Sequence, residues 1–159
     1  MLDGLLAANA GYADARSHLA DGRPDLGLAV VTCMDTRIDV LAAFGLHLGE
    51  ALIVRNAGGR VTEDVVRSLA LASHVLGVHT VALVQHTRCG LYGVDDTALQ
   101  ALTGSSLAFL SIRDHTDALR DDVDALAGDP ALTPIAAIAG LLYDVDTGAV
   151  DEVVRWHRS

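Results

Sequence analysis

Two cysteines, one of the seven histidines and an Asp-x-Arg pair are the residues of this sequence whose types and spacing suit chemistry. Cys33 opens the run Cys33-Met34-Asp35-Thr36-Arg37, and His86-Thr87-Arg88-Cys89-Gly90 sets an imidazole and a thiol three residues apart. Two thiolates plus one imidazole is a known catalytic zinc set, which leaves the fourth tetrahedral position for water or substrate. His86 and Cys89 are close enough on one loop to grip one ion, with Cys33 arriving from a neighbouring element. His-x-x-Cys alone is a short pattern, and the bland alternative is two small buried hydrophobes and a hydrogen-bonded loop histidine. Asp35 and Arg37 weigh on that choice. At a strand end they are costly to bury unless they pair with each other or meet a metal or an anion; at the surface they are an ordinary ion pair.

Elements that position these residues follow from periodicity. Leu28 to Val31, extended by Thr32, is a short continuous apolar run, as expected of a strand buried on both faces. Val40 to Phe44 suggests a short helix, and Ala51 to Val54 a second buried strand that ends in the glycine-containing loop Arg55 to Arg60. Thr62 is placed to cap a helix with Glu63 and Asp64 in its first turn, Val65, Leu69, Ala72 and Leu76 on its apolar stripe and Gly77 at its end. Val78 to Gln85 reads as a third strand, Ala118 to Leu126 as a helix, and Ile135 to Tyr143 as a further strand before the turn Asp144 to Gly148. Strands alternating with helices predict an α/β fold, a mostly parallel central sheet flanked by helices. In such sheets ligands gather beyond the carboxyl ends of the strands. All three polar clusters, Cys33 to Arg37, Arg55-Asn56 and His86 to Gly90, fall at such ends.

Composition narrows the classes. At 159 residues, with half of them apolar and no repeat or low-complexity segment, the chain is expected to form one domain over residues 1–159. A formal charge of −10 repels phosphate backbones and anionic lipid, so nucleic acid and membrane surfaces are set aside as partners. The longest apolar stretches reach about half of the roughly 20 residues a bilayer span needs. Charged residues interrupt the first thirty positions, leaving no secretion-type apolar core. The expected location is cytoplasmic, where Cys33 and Cys89 would not form a standing disulfide. Residues 1–20 read as a leading amphipathic helix, with Leu2, Leu5, Leu6, Tyr12, Ala13 and Leu19 as its stripe. That stripe has no evident place in a three-layer domain, so a subunit interface is expected for it.

Taken together, Cys33-x-Asp35-x-Arg37, Arg55-Asn56-Ala57-Gly58 and His86-x-x-Cys89-Gly90 resemble the β-carbonic anhydrase family in both order and spacing. The resemblance runs from about Leu28 to Gly93, and Leu142 to Gly148 is similar to the last strand of small bacterial members. It implies one zinc per chain on Cys33, His86 and Cys89, and an aspartate-arginine dyad made by Asp35 and Arg37. It also implies the reversible hydration of carbon dioxide to bicarbonate, and a homodimer or homotetramer. Members of the family use the same chemistry on carbonyl sulfide or carbon disulfide, which is the rival within enzymes; a zinc-binding protein without turnover is the rival outside them. Two departures stand out. Arg23-Pro24-Asp25 offers no glutamine ahead of the first cysteine to orient substrate, and Arg88 stands where small bacterial relatives often have aspartate. The other histidines have no ligand partner at metal spacing and are expected to be mostly solvated. The Gly58-Gly59 loop lacks the G-x-G-x-x-G pattern and the lysine of a phosphate cradle.

Overall fold

The computed structural model describes residues 1–15 and 21–159. Its centre is a five-stranded sheet in the order β2-β1-β3-β4-β5. The strands are β1 (Leu28–Cys33), β2 (Ala51–Asn56), β3 (Thr80–His86), β4 (Ala137–Tyr143) and β5 (Val150–His157). The first four run parallel, while β5 returns antiparallel to β4 with a register shift at Gly140/Leu141. The chain crosses from β1 to one side to make β2 and to the other to make β3, so a topological switch point lies at β1. The crevice beyond the strand ends at such a point is where open α/β sheets place ligands.

Alternating side chains divide the core in two. Ala29, Val31, Val81, Leu83 and Ile138 meet the stripes of α3 (Glu63–Val75) and α5 (His115–Gly128), including Leu69, Leu119, Val123 and Leu126. Val30 and Val84 point the other way, to a second cluster that holds Cys33, Ile38, Val40, Cys89, Leu91, Ile112 and Tyr143. On this side lie α2 (Val40–Phe44) and α4 (Asp96–Thr103). Local sequence sets the helix ends: Thr62 Oγ1 accepts from the Val65 amide and Asp114 from the Asp117 amide, satisfying donors that a helix start leaves free.

Most of the expected elements are present, with their ends moved by one to three residues. The helix seen in the sequence at 118–126 starts earlier, at the Asp114 cap. Neither α4 nor β5 was foreseen; α4 is short and buries no residue fully. The expectation that Ala51 to Val54 is buried on both faces is corrected: β2 is an edge strand and Ile53 is 37% exposed. Leu52 and Val54 pack against the first core cluster, while Ile53, on the opposite face, is left exposed. The leading helix, α1, spans Leu2–Ala15, and its Leu2, Leu5, Leu6 and Tyr12 are all exposed. Leu19 and His18 lie outside the described residues.

Candidate metal centre

Cys33 closes β1, His86 closes β3, and Cys89 follows on the loop after β3. All three are buried, and one ligand atom from each lies within 4.8 Å of the others. The imidazole is oriented by its own loop: Nδ1–H donates to the Thr87 carbonyl at 2.9 Å, which leaves the lone pair on Nε2. That Nε2 is buried with no hydrogen-bond partner. A buried polar atom without a partner is costly, and here it faces two thiols. The Cys33 thiol is drawn down, first by the neighbouring Cys89 thiol and then, against the desolvation of burial, by His86 and the amides of Asp35 and Gly58. Cys89 is pushed up in turn, by Cys33 first and burial second. One thiolate is thus stabilised by its surroundings, and a cation between the sulfurs is what would release the second proton. A tetrahedral zinc ion keeps such ligand atoms roughly 4 Å apart, so the residues present fit the metal.

The backbone around Cys33 is shaped by the end of β2 and the turn that follows it. Arg55 donates from Nε to the Cys33 carbonyl at 3.0 Å, from Nη1 to that of Ile38 at 3.1 Å and from Nη2 to that of Asp35 at 2.6 Å. One guanidinium therefore gathers the loop that carries Cys33, Asp35 and Arg37. Asn56 closes the tight turn Ala57–Gly59 by exchanging hydrogen bonds with the Arg60 amide and carbonyl. Gly59 sits at φ +64, where a Cβ would lie 2.8 Å from the Val84 oxygen and 3.0 Å from the Cys33 nitrogen. Only glycine lets this turn pack under the first ligand.

Asp35 and Arg37 pair with each other. Arg37 Nε donates to Oδ1 at 2.9 Å, Nη2 to Oδ2 at 2.7 Å, and the Arg37 amide to Oδ1 at 3.0 Å. The guanidinium, then the amide, hold the carboxyl well below the usual carboxylate range. Oδ2 comes to 3.9 Å from His86 Nε2, so the carboxylate borders the ligand trio. Arg37 Nη2 also donates to the Arg88 carbonyl at 3.1 Å, joining the loops after β1 and β3. Arg88 adopts a left-handed conformation, φ 56, between the two ligands of its loop. Its guanidinium pairs with Asp146 in the β4–β5 turn.

A cleft of about 370 Å³ opens onto this centre, lined by Cys33, Met34, Asp35, Ala57, Gly58, Cys89, Gly90, Leu91, Leu99 and Phe109. Apart from the ligands and Asp35 its walls are apolar.

A family model described as carbonic anhydrase matches residues 28–128. The chain belongs to the β-carbonic anhydrase family. Beta-carbonic anhydrase 1 of Mycobacterium tuberculosis is 35% identical over 157 residues, covering 95% of this chain and 96% of that protein. The solved carbonic anhydrase of Streptococcus mutans superposes with a TM-score of 0.86 at 38% identity, over 96% of this chain and 97% of that one. A carbon disulfide hydrolase of Acidithiobacillus thiooxidans is 40% identical over 86 residues, half of this chain and 40% of that protein. Family membership makes zinc the metal that these donors suit.

Sequence reasoning placed Cys33, Asp35, Arg37, His86 and Cys89, and the structure brings all five together. It gave Arg55 no role beyond its motif, and it missed Asp96, Phe109, Gln85, Arg60 and Asp122. Two of these carried a signal. Gln85 is a polar residue inside an apolar strand, and Asp122 interrupts the stripe Leu119, Val123, Leu126 of α5, so each had to find a buried partner. Asp122 pairs with Arg60 at 2.7 Å; Gln85 donates to Asp122 at 3.4 Å and accepts from His115 Nδ1 at 2.9 Å. His115, expected to be solvated, is thus half-buried and stacked on Tyr92, with ring centroids 5.0 Å apart.

Proposed function

We propose that this chain interconverts carbon dioxide with bicarbonate and a proton, using zinc held by Cys33, His86 and Cys89, with Asp35 and Arg37 as the working dyad. The observation that carries the assignment of the site is the unpartnered Nε2 of His86, buried and turned toward two thiols at the switch point of the sheet. Zinc in such a set supplies Lewis acidity that brings the pKa of water toward roughly 7. The protein's own groups do the rest. Asp35, held ionised by Arg37, stays an acceptor at neutral pH, so its Oδ2 orients a donor proton beside the trio and does not itself store that proton. Leu91, Leu99 and Phe109 present an apolar wall suited to a neutral linear molecule and exclude bulk water from that side.

The whole chain is read as one domain, with α1 at a contact between subunits of a homodimer or homotetramer. Support comes from the exposed Leu2, Leu5, Leu6 and Tyr12, and from the uncovered β2 edge with Ile53. Two free cysteines fit a reducing compartment, and a cytoplasmic location is proposed on that basis. Among the described residues no helix is long and apolar enough to cross a membrane.

The test is zinc analysis coupled to stopped-flow hydration of carbon dioxide. The parent should carry one zinc per chain and hydrate carbon dioxide, with carbonyl sulfide and carbon disulfide as slower substrates; Cys33→Ser and Cys89→Ser should lose both metal and turnover. A fully zinc-loaded parent without hydration above buffer would overturn the activity, and a serine variant with full zinc would overturn the ligand set.

A further inference from the structure

Thr87 stands one residue beyond β3, directly after the ligand His86, and its carbonyl, amide and hydroxyl oxygen each have a partner. The carbonyl accepts from His86 Nδ1–H at 2.9 Å. The amide donates to the Tyr143 carbonyl at 3.0 Å, which carries the β3–β4 pairing one step past the register pair of His86 with Tyr143. Oγ1 accepts the Val145 amide at 3.1 Å. These last two bonds fasten Thr87 to the end of β4 and the turn after it, and that turn is closed by bonds of its own. The Asp144 amide donates to the Ala149 carbonyl and the Gly148 amide to the Asp144 carbonyl, both at 2.8 Å. Asp144 Oδ1 accepts the amides of Asp146 at 2.7 Å and Thr147 at 3.1 Å. A ring that bonds the carbonyl of the very next residue needs the peptide plane between Thr87 and Arg88 held in one orientation. Arg88, on the far side of that plane, sits at φ 56, a conformation that a residue other than glycine seldom adopts unless its surroundings enforce it.

We propose that Thr87 is the positioning residue for His86: its hydroxyl, anchored on the β4–β5 turn, holds the peptide whose carbonyl fixes the tautomer and orientation of the imidazole, with Nε2 toward the sulfurs of Cys33 and Cys89. This role rests on the ligand set assigned above and deepens it. A hydrogen-bond partner on the far nitrogen of a ligating histidine fixes its ring and raises its basicity. Thr87 is not among the residues that line the cleft, so it acts through His86. The ion pair of Arg88 with Asp146 joins the same loop to the same turn through two exposed side chains, neither of which bonds His86, and it provides the control.

The experiment reads metal binding and the imidazole itself rather than turnover. Competition with a zinc chelator of known affinity gives the zinc dissociation constant, and nitrogen-edited NMR of the zinc-loaded protein reads how fast the Nδ1–H proton of His86 exchanges with water. Thr87→Val, of nearly the same shape but without the acceptor, should weaken zinc binding about tenfold or more and speed that exchange. Thr87→Ser, which keeps the hydroxyl, should stay near the parent in both, and Thr87→Ala serves if the valine variant does not fold. Asp146→Ala should also stay near the parent in both. Parental zinc affinity in Thr87→Val, or in Thr87→Ala where that variant serves, would overturn the role of Thr87. A serine variant as impaired as the valine one would do the same, since the methyl group and not the hydroxyl would then matter. Equal loss in Asp146→Ala would mean that any tie between loop and turn suffices, and weaker zinc binding with unaltered Nδ1–H exchange would overturn the route through His86. A parent that bound no zinc would instead overturn the ligand set.

Discussion

Two arginine–aspartate pairs stand in this molecule with nearly the same geometry and opposite surroundings. Arg37 grips Asp35 two residues away, through Nε at 2.9 Å and Nη2 at 2.7 Å, with side chains 42% and 17% exposed. Arg60 grips Asp122 from another part of the chain, through Nε at 2.7 Å and Nη2 at 3.2 Å, with side chains 9% and 6% exposed. Charge and the number of guanidinium hydrogen bonds are alike; solvent is not. An exposed pair is stabilised little by its charges but leaves its carboxylate able to act on something else. A buried pair does not open without stranding an ion in the core. The first is suited to chemistry and the second to holding elements together.

The largest expected effect breaks the buried pair. Asp122→Ala leaves the guanidinium of Arg60 buried without its counter-charge, and should cost about 3–5 kcal/mol of folding stability. Urea denaturation of the zinc-loaded protein measures it. Replacing both partners together, Arg60→Met with Asp122→Leu, should cost much less, since no charge is then stranded. If the single and double variants lost equal stability, the pair would be ordinary packing.

Breaking the exposed pair should do the reverse. Arg37→Ala should change stability by less than about 1 kcal/mol and leave zinc content intact, while carbon dioxide hydration falls roughly 10–100-fold. Without the guanidinium, the Asp35 carboxylate, 3.9 Å from His86 Nε2, is free to turn into the position kept for substrate. Near-parental hydration by Arg37→Ala at neutral pH would remove the dyad from the mechanism.

A third carboxylate sharpens the comparison by separating amides from charge. Asp96 pairs with no arginine among the described residues, yet the Ser111 hydroxyl and amide, followed by the Phe109 and Leu110 amides, hold its carboxyl down at about 2. A folded-state pKa below the unfolded value of about 3.9 means stabilisation that is complete above that value and fades as pH falls toward 2. Thermal unfolding of the parent and of Asp96→Asn at stepped pH should therefore show the parent's advantage shrinking below about pH 4. An advantage independent of pH would mean that the amide of asparagine fails for steric reasons alone.

The same contrast explains what was legible in the sequence. Local pairs and strand ends leave short motifs, so Cys33, Asp35 and Arg37 were visible together, and His86 and Cys89 likewise. Buried apolar runs marked β1, β3 and β4 because both faces of a central strand need the same residue types. The pair of Arg60 with Asp122 spans 62 positions and left only its halves visible, an acid on an apolar stripe and a basic residue after two glycines. The segment Phe109 to Ser111 is held to α4 by backbone amides that donate to the side chain of Asp96, and no periodicity records that kind of bond. Edge position, too, is a property of the sheet rather than of the strand, which is why β2 read as buried.

The smallest expected effect concerns Arg88, which combines the two kinds of pair in one residue. Its guanidinium meets Asp146 with both side chains 61% exposed, while its carbonyl accepts from Arg37 and its backbone is held at φ 56. The exposed charges should contribute at most about 1 kcal/mol, less at high salt. The backbone conformation matters separately, because a left-handed φ is strained for any residue but glycine, and least so for asparagine and aspartate. Asp146→Ala should therefore lower stability only slightly and in a salt-dependent way, with hydration nearly unchanged. Arg88→Gly loses the same ion pair but relieves the strained φ, so it should match or exceed Asp146→Ala in stability at high salt. Arg88→Val should fall below both, since a β-branched residue resists this conformation. Chemical denaturation at low and high salt separates the two contributions. If Arg88→Gly were the least stable of the three at every salt concentration, the left-handed φ would not be a strain that glycine relieves, and the backbone argument for this loop would fall.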